Sequence, residues 1–198
     1  MSFTILNDLP CYDLYKEFTS LIENKKISWF KDKDGIVNKS QICITSTAKK
    51  PDDIHFGRGS LVYNWDNGYY DVDKSEWIVN SFRSMGRNYE VQEQDFNILC
   101  SQFKGTLFED VYNHLRKKYK FGRMRVMNSK PHSCLSWHND TTQRIHYPMK
   151  TQKGCYMVIE NEIQFLRHNT WYHTDTLKKH TAFNASKQER MHLVVNLL

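Results

Sequence analysis

The fold is decided by residues 154–184, GCYMVIENEIQFLRHNTWYHTDTLKKHTAFN, in which short runs follow one another without a helical interruption. Within the runs the residue pattern repeats with a period of about two, which is typical of strands. The tripeptide Glu160-Asn161-Glu162 predicts a tight hairpin, because Asn tolerates a positive φ. The strands predicted in this segment are Gly154–Glu160, Glu162–Arg167, Thr170–His173 and His180–Asn184.

The same pattern continues on both sides of this segment. Turn residues bound the flanking runs as well, and the predicted strands there are Arg123–Ser129, Ser133–His138, Gln143–Pro148 and Arg190–Leu197. Eight short strands without an intervening helix favour a mainly β domain of two sheets, in the jelly-roll class.

The first half of the chain has helical patterns instead. Leu14, Phe18 and Leu21 recur at helical spacing and predict an amphipathic helix from about 11 to 24. Thr106 and Glu109 form a T-x-x-E capping box that predicts a second helix. A shorter helix is expected after Ser75, with Trp77, Ile78, Val79 and Phe82 on it, and residues 41–46, QICITS, predict a strand. We expect the N-terminal helices to pack on one sheet as a cover.

Composition excludes several classes of protein. The 198 residues carry a net charge of +6, divided as −4 over residues 1–110 and +10 over residues 111–198. The sequence has no apolar run long enough for a membrane span and no secretory signal, so we expect a cytoplasmic protein with no membrane partner. Five cysteines without a C-x-x-C argue against a disulfide framework or a zinc knuckle.

The second half also holds a pattern that suits a metal. His138 and Asp140 are two positions apart and would point to one face of a strand, His180 follows 40 residues later, and Arg190 follows ten residues after that. Two imidazoles and one carboxylate occupy one face of a metal and leave the other open, which non-haem Fe(II) oxygenases require. A closed zinc site would want a fourth protein ligand, so iron is the better candidate.

At this point the chain resembles the Fe(II)/2-oxoglutarate-dependent dioxygenases, and within them the aspartyl/asparaginyl β-hydroxylase family and its relatives among the proline hydroxylases. The similar stretches are Trp137–Thr151 (WHNDTTQRIHYPMKT), Thr170–Thr176 (TWYHTDT) and His180–Leu197 (HTAFNASKQERMHLVVNL). The resemblance implies a double-stranded β-helix, a cupin-like form of the jelly roll. The length of the chain and the absence of a linker predict a single domain over 1–198. Within it we expect residues 1–122 as a mixed α/β support on the substrate side and 123–198 as the catalytic core.

The resemblance further implies roles for single residues. His138, Asp140 and His180 would be the catalytic metal ligands. Arg190 would hold the distal carboxylate of 2-oxoglutarate, and Arg144 and His146 would line the cosubstrate pocket; Trp171 would contact substrate. From the residues alone, Arg144 could instead be a solvated strand charge, His146 a core histidine and Trp171 a packed aromatic. His192 has the same parity as Arg190, and a packing role, or a supporting role behind a ligand-binding residue, suits it at least as well as direct contact.

The implied cofactors are Fe(II), 2-oxoglutarate as cosubstrate and O₂. The implied activity is hydroxylation of an unactivated C–H of an amino-acid unit, in a polypeptide at Asp, Asn or Pro or in a free amino acid, with release of succinate and CO₂. Two alternatives stay open. One is an oxygenase acting on a nucleobase, with the basic run Arg116–Arg125 on the phosphates; the other is a jelly-roll binding module without enzymatic activity. The oligomeric state is not predicted.

Overall fold

A computed structural model describes residues 1–59, 61, 68–71, 76–79 and 91–198. Six strands form the larger of its two main sheets. They are β1 Phe3–Ile5, β4 Gln41–Cys43, β9 Phe121–Ser129, β11 Arg144–Lys150, β14 Tyr172–Thr174 and β16 Arg190–Leu197. Their order across the sheet is β1, β14, β11, β16, β9, β4, and every neighbouring pair is antiparallel.

A four-stranded antiparallel sheet lies opposite, in the order β10, β15, β12, β13. Its strands are β10 Ser133–Cys134, β12 Cys155–Ile159, β13 Glu162–Gln164 and β15 His180–Asn184. The predicted fold is confirmed: the chain is mainly β with a jelly-roll, cupin-like core of two sheets.

Two helices cover the outer face of the larger sheet. They are α1 Leu14–Glu23 and α2 Leu107–Arg116, and both confirm the predicted helices. Thr106 caps α2, since its hydroxyl accepts from the Phe108 amide at 3.2 Å. Apolar residues of both helices join one buried cluster with every second residue of β9, β11 and β16. Because side chains alternate along a strand, the other residues of these three strands point between the two sheets.

Shorter strands connect these parts. The pairs are β2 Phe30–Lys31 with β3 Val37–Asn38, β5 Thr45–Ser46 with β8 Ile98–Leu99, and β6 Gly68–Asp71 with β7 Glu76–Val79. The predicted strand 41–46 is therefore divided between two sheets, as β4 and β5.

The helix predicted after Ser75 is wrong where the structure describes it. Residues 76–79 are the strand β7, which pairs with β6 in an antiparallel hairpin. An aromatic residue followed by two β-branched residues favours a strand, and here that preference outweighs the weak helical spacing. Ser75 and Phe82 lie outside the described residues.

Several predicted strands have other bounds in the structure. Glu162–Arg167 is a strand only at Glu162–Gln164, and in place of Thr170–His173 the strand is Tyr172–Thr174. The run Ser133–His138 is a strand only at Ser133–Cys134, and His138 rejoins the sheet as an isolated bridge to His180. The hairpin between β12 and β13 forms as predicted, but its positive φ of 50° belongs to Glu160 rather than to Asn161. No helix within the described ranges is both long and apolar enough to cross a membrane.

Candidate metal centre

Backbone pairing brings the three predicted ligands together. The His138 amide donates to the His180 carbonyl at 3.0 Å, and the His180 amide returns a bond to the His138 carbonyl at 2.8 Å. The Asp140 amide donates to Thr176, in the loop that leads to β15. One ligand atom from each of His138, Asp140 and His180 lies within 4.8 Å of the others. The structure therefore brings these three residues into one group that could hold a metal ion.

Both histidines are fixed in the orientation that a metal needs. The Nδ1 of His138 lies 2.7 Å from the Ser136 carbonyl, and the Nδ1 of His180 lies 2.9 Å from the Lys178 carbonyl. A carbonyl can only accept, so each Nδ1 carries a proton, and Nε2 is the ring nitrogen that remains for a metal ion. These Nε2 atoms face Asp140, at 3.8 Å from Oδ1 for His138 and 3.2 Å from Oδ2 for His180.

This arrangement is suited to a cation at its centre. His180 Nε2 and Asp140 Oδ2 are 3.2 Å apart, and a proton or a metal ion between them would stabilise this contact. Asp140 Oδ2 is buried and has no hydrogen-bond partner in the described part of the chain. Backbone carbonyls that hold the outer nitrogen of ligating histidines are a common feature of metal sites. The donor set fits a divalent transition metal with open positions.

Asp140 is held as a carboxylate. Burial disfavours its charged form, but the contact with His180 and the charge of Arg144 outweigh burial, and the pKa of Asp140 lies below its usual value. Arg144 Nη2 is 2.5 Å from Asp140 Oδ1. The alternative of a solvated strand charge is thus wrong for Arg144, which is half-buried and paired with a predicted ligand.

Arg190 lies between the two sheets without a counter-charge. Its side chain is on the same face of β16 as His192, and among the described residues it has no hydrogen bond or ion pair; its Nε is buried and unsatisfied. Burial lowers the pKa of Arg190 to about 10, which leaves it protonated at neutral pH. A buried, unpaired guanidinium suits the carboxylate of a ligand, because it can form two parallel hydrogen bonds with it.

His146 and His192 are also buried on this inner face. Their Nδ1 atoms are 3.5 Å apart, and the Nε2 atom of each is buried without a partner. Burial, followed by the charges of Arg144 and Arg190, lowers the pKa of His146 well below its usual value. Burial and the charge of Arg190 have the same effect on the pKa of His192. Both rings are therefore neutral.

Trp171 does not lie with these residues. Its ring is 2% exposed and packs on Tyr147 at a centroid distance of 4.3 Å, within the core below the helices. Its Nε1 donates to the Pro10 carbonyl at 2.9 Å. The structure thus places Trp171 on the opposite face of the larger sheet from Arg190, in the packing role.

A buried charge network beside the site was not predicted. Arg123 forms an ion pair with Glu93 at 2.8 Å, and Arg125 donates to the Gln41 and Asn196 side chains. Burial, followed by the charges of Arg123 and Arg144, lowers the pKa of Arg125 to about 9. The basic run Arg116–Arg125 predicts that both arginines are available to phosphates, and their burial contradicts this. The sequence does contain an indication of their burial, because both arginines alternate with the apolar residues Met124 and Val126. On a strand, that alternation places both arginines on the face opposite Met124 and Val126, which is the inner face of β9.

Solved structures with similar folds include three proteins of related descriptions. An oxidoreductase of the 2OG-Fe(II) oxygenase family from Burkholderia pseudomallei is 16% identical with a TM-score of 0.36, over 46% of this chain and 49% of that chain. A viral collagen prolyl hydroxylase from Paramecium bursaria Chlorella virus 1, in complex with 2OG, is 13% identical with a TM-score of 0.34, over 46% and 72%. A cupin domain from Bordetella pertussis Tohama I is 15% identical with a TM-score of 0.34, over 38% and 80%. At such TM-scores these likenesses carry no argument, and the fold rests on the strand order itself.

The family model gives the stronger finding. No match was found among curated proteins. Residues 53–198, nearly three quarters of the chain, match the family model described as aspartyl/asparaginyl β-hydroxylase. The matched range contains all three members of the metal-ligand group and Arg190. The chain therefore belongs to the aspartyl/asparaginyl β-hydroxylase family and is a hydroxylase with a cupin-type fold.

Proposed function

We propose that this protein is an Fe(II)- and 2-oxoglutarate-dependent dioxygenase that hydroxylates an unactivated C–H of an amino-acid unit. One observation carries the proposal: His138, Asp140 and His180 form a group that could hold a metal ion, and Arg190, on the inner face of β16, has a buried Nε without a partner among the described residues. The first would hold the metal, and the second would hold a carboxylate that reaches toward it. Family membership supports hydroxylation as the reaction.

Each residue has a defined task in this proposal. His138, Asp140 and His180 would bind Fe(II) through Nε2, one carboxylate oxygen and Nε2. Arg190 would neutralise the remote carboxylate of 2-oxoglutarate, with His146 nearby as a neutral hydrogen-bonding group. When bound, the iron with 2-oxoglutarate and O₂ supplies the oxidising power, and succinate and CO₂ are released. The surrounding strands position the reactants and limit access of water.

For the substrate we propose a chemical class and no single compound. An Asp, Asn or Pro unit, in a polypeptide or as the free amino acid, agrees with the family description. The two alternatives of a nucleobase substrate and of a non-enzymatic module are less well supported. Arg123 and Arg125 are buried and bonded inside the protein, so they cannot contact a phosphate backbone from the surface.

The proposal is tested by turnover of 2-oxoglutarate. Purified protein is loaded with Fe(II), and succinate is measured with free amino acids and with a peptide library. We expect succinate formation that a true substrate stimulates, and its loss in His138→Ala. His132→Asn is the matched control, because His132 is exposed in the preceding turn, and its positive φ of 51° is one that Asn tolerates. Undiminished, iron-dependent turnover in His138→Ala would refute the ligand assignment.

A further inference from the structure

The two buried histidines beside the metal centre interact through one shared hydrogen bond. His146 on β11 and His192 on β16 are 6% and 2% exposed, and their rings meet edge to face at a centroid distance of 5.7 Å. Their Nδ1 atoms are 3.5 Å apart, at the long limit of a hydrogen bond. His146 is opposite Val194 in the sheet register and His192 is opposite Pro148, so the two rings are diagonal neighbours on the inner face.

The protons of this pair follow from simple counting. Each ring is neutral, because it is buried next to guanidinium charges that disfavour a further positive charge. A neutral imidazole carries one N–H, and a bond between two Nδ1 atoms holds one proton. One ring therefore has its proton on Nδ1 and its lone pair on Nε2, while the other ring has the reverse. The pair presents one Nε2 donor and one Nε2 acceptor, and in the described residues neither atom has a protein partner.

The surroundings decide which ring is the donor. His146 lies two residues from Arg144 on the same face of β11, and Arg144 contacts Asp140 at 2.5 Å, whereas His192 is opposite Pro148, two positions further along β11. His146 is therefore the ring that faces the metal-ligand group. A carboxylate bound in that space would be repelled by a lone pair on His146 Nε2 and attracted by a proton there.

We propose that His192 is a positioning residue, which donates its Nδ1–H to His146 Nδ1 and so fixes His146 as an Nε2–H donor toward the bound dicarboxylate. The inference rests on the proposed function for the identity of this ligand. It gives His192, for which the sequence favoured no role over packing, a defined part in cosubstrate binding. It also explains why a second imidazole, rather than an apolar side chain, is buried at this position.

The first test measures the tautomers directly in the metal-free, ligand-free protein. Two-bond ¹H–¹⁵N correlation spectra distinguish protonated from unprotonated ring nitrogens in each histidine. We expect His192 with its proton on Nδ1 and His146 with its proton on Nε2. A His146 ring protonated on Nδ1, or both rings protonated on Nε2, would overturn the inference.

The second test uses two variants of His192 with different hydrogen-bonding ability. In His192→Asn, the side-chain amide can donate from near the position of Nδ1, whereas His192→Leu has no donor. With Mn(II) as a redox-inert metal, we expect His192→Leu to weaken 2-oxoglutarate binding by roughly tenfold or more, because a hydrogen bond to a charged group is lost. His192→Asn should stay within about threefold of the wild type, and the affinity for Mn(II) should be the same in all three proteins.

The outcomes separate the inference from the proposed function. Equal weakening in the Asn and Leu variants would mean that His192 only fills space, and unchanged affinity in both would mean that it has no role in binding; either result overturns the inference. If the wild type bound Mn(II) but no 2-oxoglutarate, the proposed function and the identity of the ligand would fail. The hydrogen bond from His192 to His146 would then be tested by the ring nitrogen spectra alone. These spectra are recorded on the wild-type protein, so they also test the inference if His192→Leu does not fold.

Discussion

Five buried side-chain atoms without hydrogen-bond partners are found on the residues around the metal centre. They are Asp140 Oδ2, Arg144 Nε, His146 Nε2, Arg190 Nε and His192 Nε2. Each unsatisfied buried polar group costs about 1–3 kcal/mol in the folded protein. Such a concentration in one place is expected where the missing partners are a metal ion and a polar ligand, and the rest of the fold must offset the cost.

Replacement of Arg190 tests the ligand side of this arrangement. Arg190→Met removes the only charge proposed for the remote carboxylate and should raise the Kd of 2-oxoglutarate by about 10- to 100-fold. Arg190→Lys should recover only part of the affinity, because an ammonium group cannot form two parallel bonds with a carboxylate. Calorimetric titration with Mn(II)-loaded protein measures these constants. Arg167→Met, at an exposed position, is the control, and an Arg190→Met Kd equal to that of this control would contradict the assignment.

Glu93 and Arg123 give a prediction about pH. Burial raises the pKa of Glu93, but the charge and hydrogen bonds of Arg123 outweigh burial, so its pKa in the folded protein is lower than in the unfolded chain. The stabilisation is therefore complete above the unfolded value of about 4.3 and is lost as pH falls through the folded value. Urea unfolding at pH 7 should show Glu93→Gln destabilised by about 3–5 kcal/mol, because Arg123 stays buried without its partner.

The same variant should also be less sensitive to acid. Between pH 7 and pH 3, the free energy of unfolding should fall less in Glu93→Gln than in the wild type. Glu23→Gln, at the exposed end of α1, should behave as the wild type does. If Glu93→Gln and Glu23→Gln had equal stability at pH 7, the buried ion pair would have no stabilising role.

At the scale of elements, the sequence predicted best where alternation was regular. β15 and β16 have the bounds that were predicted, His180–Asn184 and Arg190–Leu197, because their inward and outward residues differ clearly in character. Ser133–His138 was less predictable, since its pairing with β15 is interrupted before His138 and the interruption depends on a distant strand. His138 and Asp140 could be paired from their spacing of two, whereas His180, 40 residues later, joined the ligand set through the resemblance to the family. Glu93 could not, because its partner Arg123 is 30 residues away and they meet only through the tertiary fold.

Trp171 packs between the larger sheet and the helices. Its replacement should therefore lower stability and leave 2-oxoglutarate binding unchanged, whereas replacement of Arg190 should weaken binding. Trp171→Leu should lower the free energy of unfolding by about 2–4 kcal/mol, because it removes the contact with Tyr147 and the bond to Pro10. The Kd of 2-oxoglutarate should stay within about twofold of the wild type. Paired unfolding and binding measurements check both statements, and a binding defect in a stable Trp171→Leu protein would contradict the packing role.

At the scale of the whole molecule, the excess of positive charge in the second half is partly internal. Of the 15 basic residues beyond position 110, Arg123, Arg125 and Arg190 are buried and Arg144 is half-buried on the inner faces of β9, β11 and β16. Within the described residues Arg123 pairs with Glu93 and Arg144 with Asp140, whereas Arg190 has no carboxylate partner. In the sequence this net charge suggests binding of a polyanion. In the fold, part of it lies between the two sheets, where it would suit an anionic ligand next to a metal ion.

The central claim is that His138, Asp140 and His180 form one iron site that binds 2-oxoglutarate. Its most direct test is an anaerobic titration of the wild-type protein with Fe(II) in the presence of 2-oxoglutarate, followed by the charge-transfer absorption of the iron–ligand complex. The account predicts a band that saturates at one Fe(II) per chain, requires 2-oxoglutarate and is lost in Asp140→Ala that circular dichroism shows to be folded. No such band in the wild type, or an undiminished band in Asp140→Ala, would contradict it.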